Sequence, residues 1–267
     1  MKTLHFGGID FINAYPLVRT LPPDRNSNVK VELTLAEPSQ LYEKLLQHAL
    51  DVAMIPTYSF FENALPAMSG NYVIASDGPV RSVCLYSQKQ LEDGALIALD
   101  AKSRTSVRML KILLNETGYQ HIRYVSLPFE AMLLRKDIDA FLLIGDDNFQ
   151  AGIPDLPLCI DLGKWWKETF DTPFIYAVIA AFEKENLVQV HPWLHENYKF
   201  WEKNRTAFVN TWCCKLNIPE PELLHYLTKN ILHTLNPGQV ESGVQLFQKL
   251  CVKYGLLHRI NSYQVFF

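Results

Sequence analysis

Three hydroxyl side chains fall within four residues at Ser103-Arg104-Thr105-Ser106, between an apolar run that reads as a strand and a periodic run that reads as a helix. Free N–H groups, the positive end of a helix dipole and those hydroxyls would converge there. That is the chemistry of an anion site, suited to a carboxylate or phosphate. Ser103 or Thr105 also suits ordinary helix capping, and one hydroxyl can cap while the others face a ligand. A second polar segment, Ser76-Asp77-Gly78-Pro79-Val80-Arg81-Ser82, feeds another strand. It is either a plain turn punctuated by Gly-Pro or the edge of a cleft that presents Ser82 and Arg81. Asp10 and Asn13 stand in the first strand-to-helix loop. Asn13 can donate and accept hydrogen bonds or cap the helix, while Asp10 suits holding the loop backbone. Ile144-Gly145-Asp146-Asp147 ends a buried run. Gly145 there permits close approach of a ligand or a backbone, and Asp146 suits orienting a hydroxyl or capping a helix.

The missing motifs narrow the chemistry. There is no P-loop, no GxGxxG and no GxSxG elbow. No histidine lies inside the four polar segments, which argues against triad hydrolysis and less against an elimination. His191 and His195 have the spacing of one helix face but no third ligand, so no metal site is expected. Trp165-Trp166 reads as packing. Cys84, Cys159, Cys213, Cys214 and Cys251 form an odd, scattered set. They predict buried small side chains in a reducing compartment rather than a disulfide framework.

The elements that must position these residues alternate from the start. Leu4 to Phe6 predicts a first strand opening into a loop at Gly7-Gly8. A helix starts near Asn13, with Pro16 in its first turn. Val29 to Leu35 alternates as a strand. Ser39 suits the N-cap of a helix over about 40–49, and Val52 to Ile55 is a buried strand closed by Pro56. This β-α-β-α-β order predicts a parallel sheet covered by helices. Val83–Tyr86, Leu96–Leu99, His121–Val125, Ala140–Ile144 and Phe174–Phe182 read as further strands, and the chain from Asn186 onward reads as helices.

Two hinge crossings, near Tyr86-Ser87 and Ala177-Val178, would give a discontinuous first lobe (1–86 and 178–267) and a continuous second lobe (87–177). A ligand would sit between them. The 267 residues and 48% hydrophobic content support a sizeable core. A net charge of -3 offers no basic field for nucleic acid, and no apolar run is long enough to span a bilayer. His5 is followed at once by Gly7, Gly8 and Asp10, which does not read as a secretory leader. A cytoplasmic protein with a small-molecule ligand is therefore expected, with its oligomeric state open.

Several blocks in order carry a resemblance over nearly the whole chain. They are Gly8 to Leu17, Pro38-Ser39 with Leu50 to Ala53, Ser76 to Val83, Ser103 to Val107, Leu143 to Asp146, and Asp161-Leu162-Gly163 with Trp166, Pro173 and Phe174. Together they resemble the chorismate dehydratases that open the futalosine route to menaquinone. That resemblance implies an α/β, two-lobed fold of the type II periplasmic-binding-protein kind. Each lobe would hold a mainly parallel sheet flanked by helices, with a helical C-terminal region. Two positions depart from the family pattern. Pro56-Thr57 replaces a Ser-Ser pair, leaving Thr57 as the expected donor, and Arg104 stands where a small residue is common.

The resemblance implies loss of water from chorismate to give 3-[(1-carboxyvinyl)oxy]benzoate, driven by aromatisation and needing no cofactor or metal. Ser103, Thr105 and Ser106 would hold one substrate carboxylate. Asn13 and Ser82 would contact the reacting end. Asp10, Ser39, Thr57, Arg81, Gly145 and Asp146 complete the expected binding residues. The base is the substrate's own enolpyruvyl carboxylate, Asp10 or Asp146. The competing readings are a cytosolic small-anion binding or sensor protein, and the related 1,4-dihydroxy-6-naphthoate synthase, whose opening block is built differently.

Overall fold

A computed structural model of the chain describes residues 2–20, 29–149 and 156–267. Its strands form two sheets. The first contains β1 (Thr3–Ile9), β2 (Lys30–Ala36), β3 (Val52–Pro56), β4 (Ala67–Ser76), β10 (Phe174–Ala181) and β11 (Gln264–Phe266), in the order β11-β4-β10-β3-β1-β2. The second contains β5 (Val83–Ser87), β6 (Leu96–Asp100), β7 (Arg123–Leu127), β8 (Ala140–Ile144) and β9 (Leu158–Asp161), in the order β7-β6-β8-β5-β9.

Each sheet is parallel apart from one strand, β10 in the first and β5 in the second. These are the strands entered just after the chain changes sheet. β4 ends at the carboxyl edge of sheet one. The chain then enters sheet two from its own carboxyl edge, so β5 must run backwards. The same reasoning reverses β10. The hinge positions expected from sequence fall inside β5 and β10, each hydrogen-bonded to one sheet only. The chain changes sheet in the segments 77–82 and 162–173 instead.

One carboxylate ties those two segments together. Asp161 Oδ1 accepts from the Val80 amide at 3.0 Å and Oδ2 from the Arg81 amide at 2.6 Å. Oδ1 also caps α6 (Leu162–Phe170) through the Lys164 amide at 2.9 Å. Arg81 sits in the left-handed region at φ 63°, a conformation costing about 1–3 kcal/mol that persists only where its surroundings impose it. The two amide bonds to Asp161 do so.

Helices cover both sheets: α1 (Tyr15–Val18), α2 (Pro38–Leu46), α3 (Thr57–Glu62), α4 (Thr105–Glu116), α5 (Phe129–Leu134), α6, α7 (Lys184–Leu216, kinked at Asn204), α8 (Glu220–His225) and α9 (Pro237–Lys253). α9 is fixed by a capping box between Asn236 and Gln239. The core is continuous across the connections. Trp166 of α6 is fully buried, with its ring 4.6 Å from Phe174 of β10, which in turn lies 5.1 Å from Phe247 of α9. Side chains of this size each stabilise by about 1.5–3 kcal/mol on burial.

Some local expectations are corrected. Gly7 and Gly8 do not open a loop but continue β1. A Cβ on Gly7 would stand 2.6 Å from Leu50 and 2.8 Å from Leu41, so its bareness lets α2 lie close on the sheet. Ser39 is not an N-cap: α2 starts at Pro38 behind Glu37. β4 and β9 lack a clean alternating pattern and are not anticipated. The C-terminal region is not wholly helical, because β11 returns to sheet one beside β4.

Candidate functional site

A cleft opens between the two sheets, lined by residues of both, where small-molecule sites of two-lobed folds lie. It lies beyond the carboxyl ends of the parallel strands, with Ile9 of β1, Pro56 of β3 and Ile144 of β8 in its lining.

The wall from sheet two is built by residues 102–106, which link β6 to α4. Arg104 occupies the N-cap position of α4, and no side chain caps the helix. Thr105 Oγ1 accepts from the Tyr58 amide at 3.2 Å, which ties α4 to α3. The Ser103 hydroxyl is buried and has no hydrogen-bond partner among the described residues. The first turn of a twelve-residue helix is therefore uncapped by side chains where Ser103, Thr105 and Ser106 line the cavity. Such a terminus binds anions.

Lys102 and Arg104 add positive charge to this wall, and among the described residues the lining holds no carboxylate. Lys102 Nζ lies 3.5 Å from Glu37 and 3.6 Å from Asp147. Arg104 Nη1 lies 2.5 Å from Glu62. These pairs are about one-third exposed and add little stability, but they leave each cation beside the opening. Behind them, Asp100 Oδ1 holds the Lys102 amide at 2.9 Å, while its Oδ2 is buried without a partner. Burial pushes the Asp100 carboxyl up to about 6.

The remaining polar groups of the lining are neutral: Asn13 and Tyr176 come from sheet one and Ser82 from sheet two. Asn13 sits in the 3-10 turn Ile12–Ala14 and is buried. Its main-chain carbonyl accepts from His233 Nε2 at 2.7 Å. Burial pushes His233 down to about 4. Ser82, 1% exposed, enters from the start of β5. Its carbonyl accepts from the Gly145 amide at 2.8 Å and from Asn148 Nδ2 at 2.9 Å. The Tyr226 hydroxyl stands beside the Ser82 and Asn13 side chains without forming a hydrogen bond of full geometry. Tyr176 lines the same cleft, with its hydroxyl 3.1 Å from Ser76 Oγ. Burial pushes the Tyr176 phenol well above its ordinary range, so it stays protonated and able to donate.

Six residues expected from sequence therefore meet at the cavity: Asn13, Ser82, Ser103, Thr105, Ser106 and Gly145. The other five lie outside its lining. Asp10 accepts from the Tyr15 hydroxyl at 2.7 Å and lies 3.6 Å from Arg19. Ser39 lies in the first turn of α2. Thr57 is fully buried and donates to the Ile175 carbonyl at 2.8 Å. The Arg81 guanidinium pairs with Glu222. Asp146 accepts from the Ile12 amide at 3.1 and 3.3 Å and so joins the two walls. Gly145 has φ 61°, and a Cβ there would stand 2.9 Å from the Phe11 ring. Tyr176, Tyr226 and Lys102 are not among the residues the sequence singles out; Tyr176 lies inside an apolar strand and Tyr226 in the helical C-terminal stretch.

Among the described residues, no group of three His, Cys, Asp or Glu side chains could hold a metal, and no helix is long and apolar enough to cross a membrane. His195 Nδ1 instead lies 2.8 Å from the Tyr72 hydroxyl, and the His191 ring packs on Tyr72 at 5.4 Å.

Comparison with known proteins agrees with this arrangement. The alkanesulfonate-binding protein SsuA of Xanthomonas axonopodis pv. citri, solved with MOPS bound, superimposes with a TM-score of 0.67 at 16% identity, over 96% of this chain and 94% of that one. An Archaeoglobus fulgidus protein gives 0.75 at 14% identity, over 96% and 98%. A Candida albicans protein described as having the generic periplasmic-binding-protein fold gives 0.66 at 12% identity, over 98% and 92%. These likenesses establish the two-lobed fold. In sequence, the chain is 29% identical over 168 residues to the chorismate dehydratase of Thermus thermophilus, a match spanning 57% of this chain and 61% of that enzyme's length. The family model described as menaquinone biosynthesis matches residues 4–253. A cleft between two binding-protein lobes thus sits in a chain that belongs to the menaquinone biosynthesis family.

Proposed function

We propose that the chain is a chorismate dehydratase, a hydro-lyase that removes water from chorismate to give 3-[(1-carboxyvinyl)oxy]benzoate in the futalosine route to menaquinone. The observation that carries this reading is the pairing of the two walls. An uncapped helix terminus with Ser103, Thr105 and Ser106 shares one cleft with Asn13 and Ser82, and the described residues of that lining include cations but no carboxylate. Family membership and the partial likeness to the Thermus thermophilus enzyme support it.

The chemistry follows from the substrate. Chorismate carries two carboxylates, a ring hydroxyl and an enolpyruvyl ether. A proton leaves the ring carbon bearing the ether, hydroxide leaves the neighbouring carbon, and the ring becomes aromatic. The barrier lies in taking a carbon-bound proton and expelling hydroxide. In this reading the α4 terminus holds the ring carboxylate and draws the growing negative charge toward its amides. Asn13 and Ser82 orient the departing hydroxyl and hold the reactive conformer. Asp10 and Asp146 lie outside the lining, with their carboxylates engaged by Tyr15 and by the Ile12 amide. The proton acceptor is then the substrate's own enolpyruvyl carboxylate.

The lobes are the two sheets with their helices, exchanging chain in the segments 77–82 and 162–173. All five cysteines are free, which fits a reducing cytoplasm.

The test is incubation of the purified protein with chorismate alone, followed by mass spectrometry. Loss of one water per molecule is expected. Chorismate that binds but is recovered unchanged would replace the enzyme by a small-anion binding protein of the same fold.

A further inference from the structure

Asn13 has an unusual main chain. Its carbonyl is buried, and a buried carbonyl requires a partner. In a continuing 3-10 turn the partner would be the amide three residues on. That residue is Pro16, which has no N–H. The Asn13 carbonyl is served from outside, by an imidazole 220 residues away in sequence, at 2.7 Å.

The imidazole is itself anchored. The His233 carbonyl accepts from the Val73 amide at 3.0 Å, and the neighbouring Leu232 exchanges two hydrogen bonds with Ala75, at 3.0 and 2.8 Å. This segment is thereby stitched to β4, a strand of the core of sheet one. The ring is 3% exposed and packs 5.8 Å from the Tyr198 ring. Because a carbonyl only accepts, Nε2 carries the proton. Burial holds the ring neutral, so the tautomer persists at physiological pH.

We infer that His233 is a positioning residue, whose Nε2–H clamps the Asn13 carbonyl and so sets the direction in which the Asn13 carboxamide enters the cavity. It touches no substrate. It replaces the hydrogen bond that Pro16 removes and links the turn to the segment stitched to β4. The consequence for turnover rests on the proposed dehydratase reading, but the positioning of Asn13 does not.

The test compares His233→Leu, which cannot donate, with His233→Gln, whose amide can donate from a similar place, each alone and combined with Asn13→Ala. His233→Leu is expected to lower kcat for chorismate by roughly tenfold or more, with KM changed by less than about twofold. His233→Gln is expected to restore most of that loss. In the Asn13→Ala background, His233→Leu should change kcat by less than about twofold, because the group being aimed is gone. Equal losses in Leu and Gln, or the same fold-loss with and without Asn13, would overturn the inference. A second readout needs no turnover: the side-chain amide signal of Asn13 in a 15N-labelled sample, assigned by its disappearance in Asn13→Ala. It should be sharp and unmoved in His233→Gln and shifted or broadened in His233→Leu. An unperturbed signal in His233→Leu would also overturn the inference. If the unaltered protein leaves chorismate intact, the dehydratase reading falls, and this signal still decides the role of His233.

Discussion

The two walls of the cavity are built on opposite plans. The sheet-two wall is local: Lys102 to Ser106 are consecutive, and their anion-binding character comes from the start of one helix. The sheet-one wall is assembled from distant pieces. Asn13 follows β1, Tyr176 lies on β10, Tyr226 belongs to the π-helical turn Tyr226–Asn230, and His233 follows that turn. The local wall carries charge and the assembled wall carries direction. On this division, losing a charged side chain from the first weakens capture, whereas damage to the second slows the chemical step.

The largest effect is expected at the assembled wall and at Ser82. Asn13→Ala and Ser82→Ala should each cost about 2–4 kcal/mol of transition-state stabilisation, seen mainly in kcat. Steady-state consumption of chorismate measures this, and near-normal turnover in both variants would dissolve the division. The next effect is on stability. His233 is held near pKa 4 against an ordinary 6.5. Between those values the unfolded chain binds a proton that the folded protein does not. The contribution is complete above about pH 6.5 and shrinks as pH falls toward 4, by about 3 kcal/mol in all. Denaturant titrations at pH 7 and pH 4 should therefore differ less in His233→Gln than in the unaltered protein. An equal difference would assign the slope to other groups.

A smaller loss is expected where the walls touch. Gly145→Ala places a methyl group 2.9 Å from the Phe11 ring at φ 61°, a strain of about 1–3 kcal/mol. Thermal unfolding should register it, and unchanged stability would show that Phe11 yields freely. The smallest effect belongs to the charged wall. Arg104→Ala should raise KM for chorismate by an amount worth about 1 kcal/mol with kcat nearly unchanged, since its partly exposed charge is screened. A fall in kcat at constant KM would reverse the roles given to the two walls.

The same contrast explains what could be read from the sequence. The Ser103–Ser106 cluster was legible because strand end, hydroxyls and helix start are adjacent in the chain. Asn13 and Ser82 were legible as polar residues at strand edges. Thr57 lies outside the described lining because its hydroxyl turns toward the Ile175 carbonyl on a neighbouring strand, which the sequence does not show. Tyr226 and His233 were invisible for a related reason: their value depends on an interlobe crossing and on the missing N–H of Pro16, neither of which leaves a local pattern. The change of sheet is hard to read in the sequence because apolar β5 and β10 carry no mark of which sheet they join. β4 shows no alternation because it is buried at nearly every position, and β9 is a four-residue edge strand too short to show one.

Asp161 grips the main chain of one connection while its own position opens the other. The two connections are thereby tied to one another at a single side chain. Removing that carboxylate would untie both at once while taking no side chain out of the described lining of the cleft.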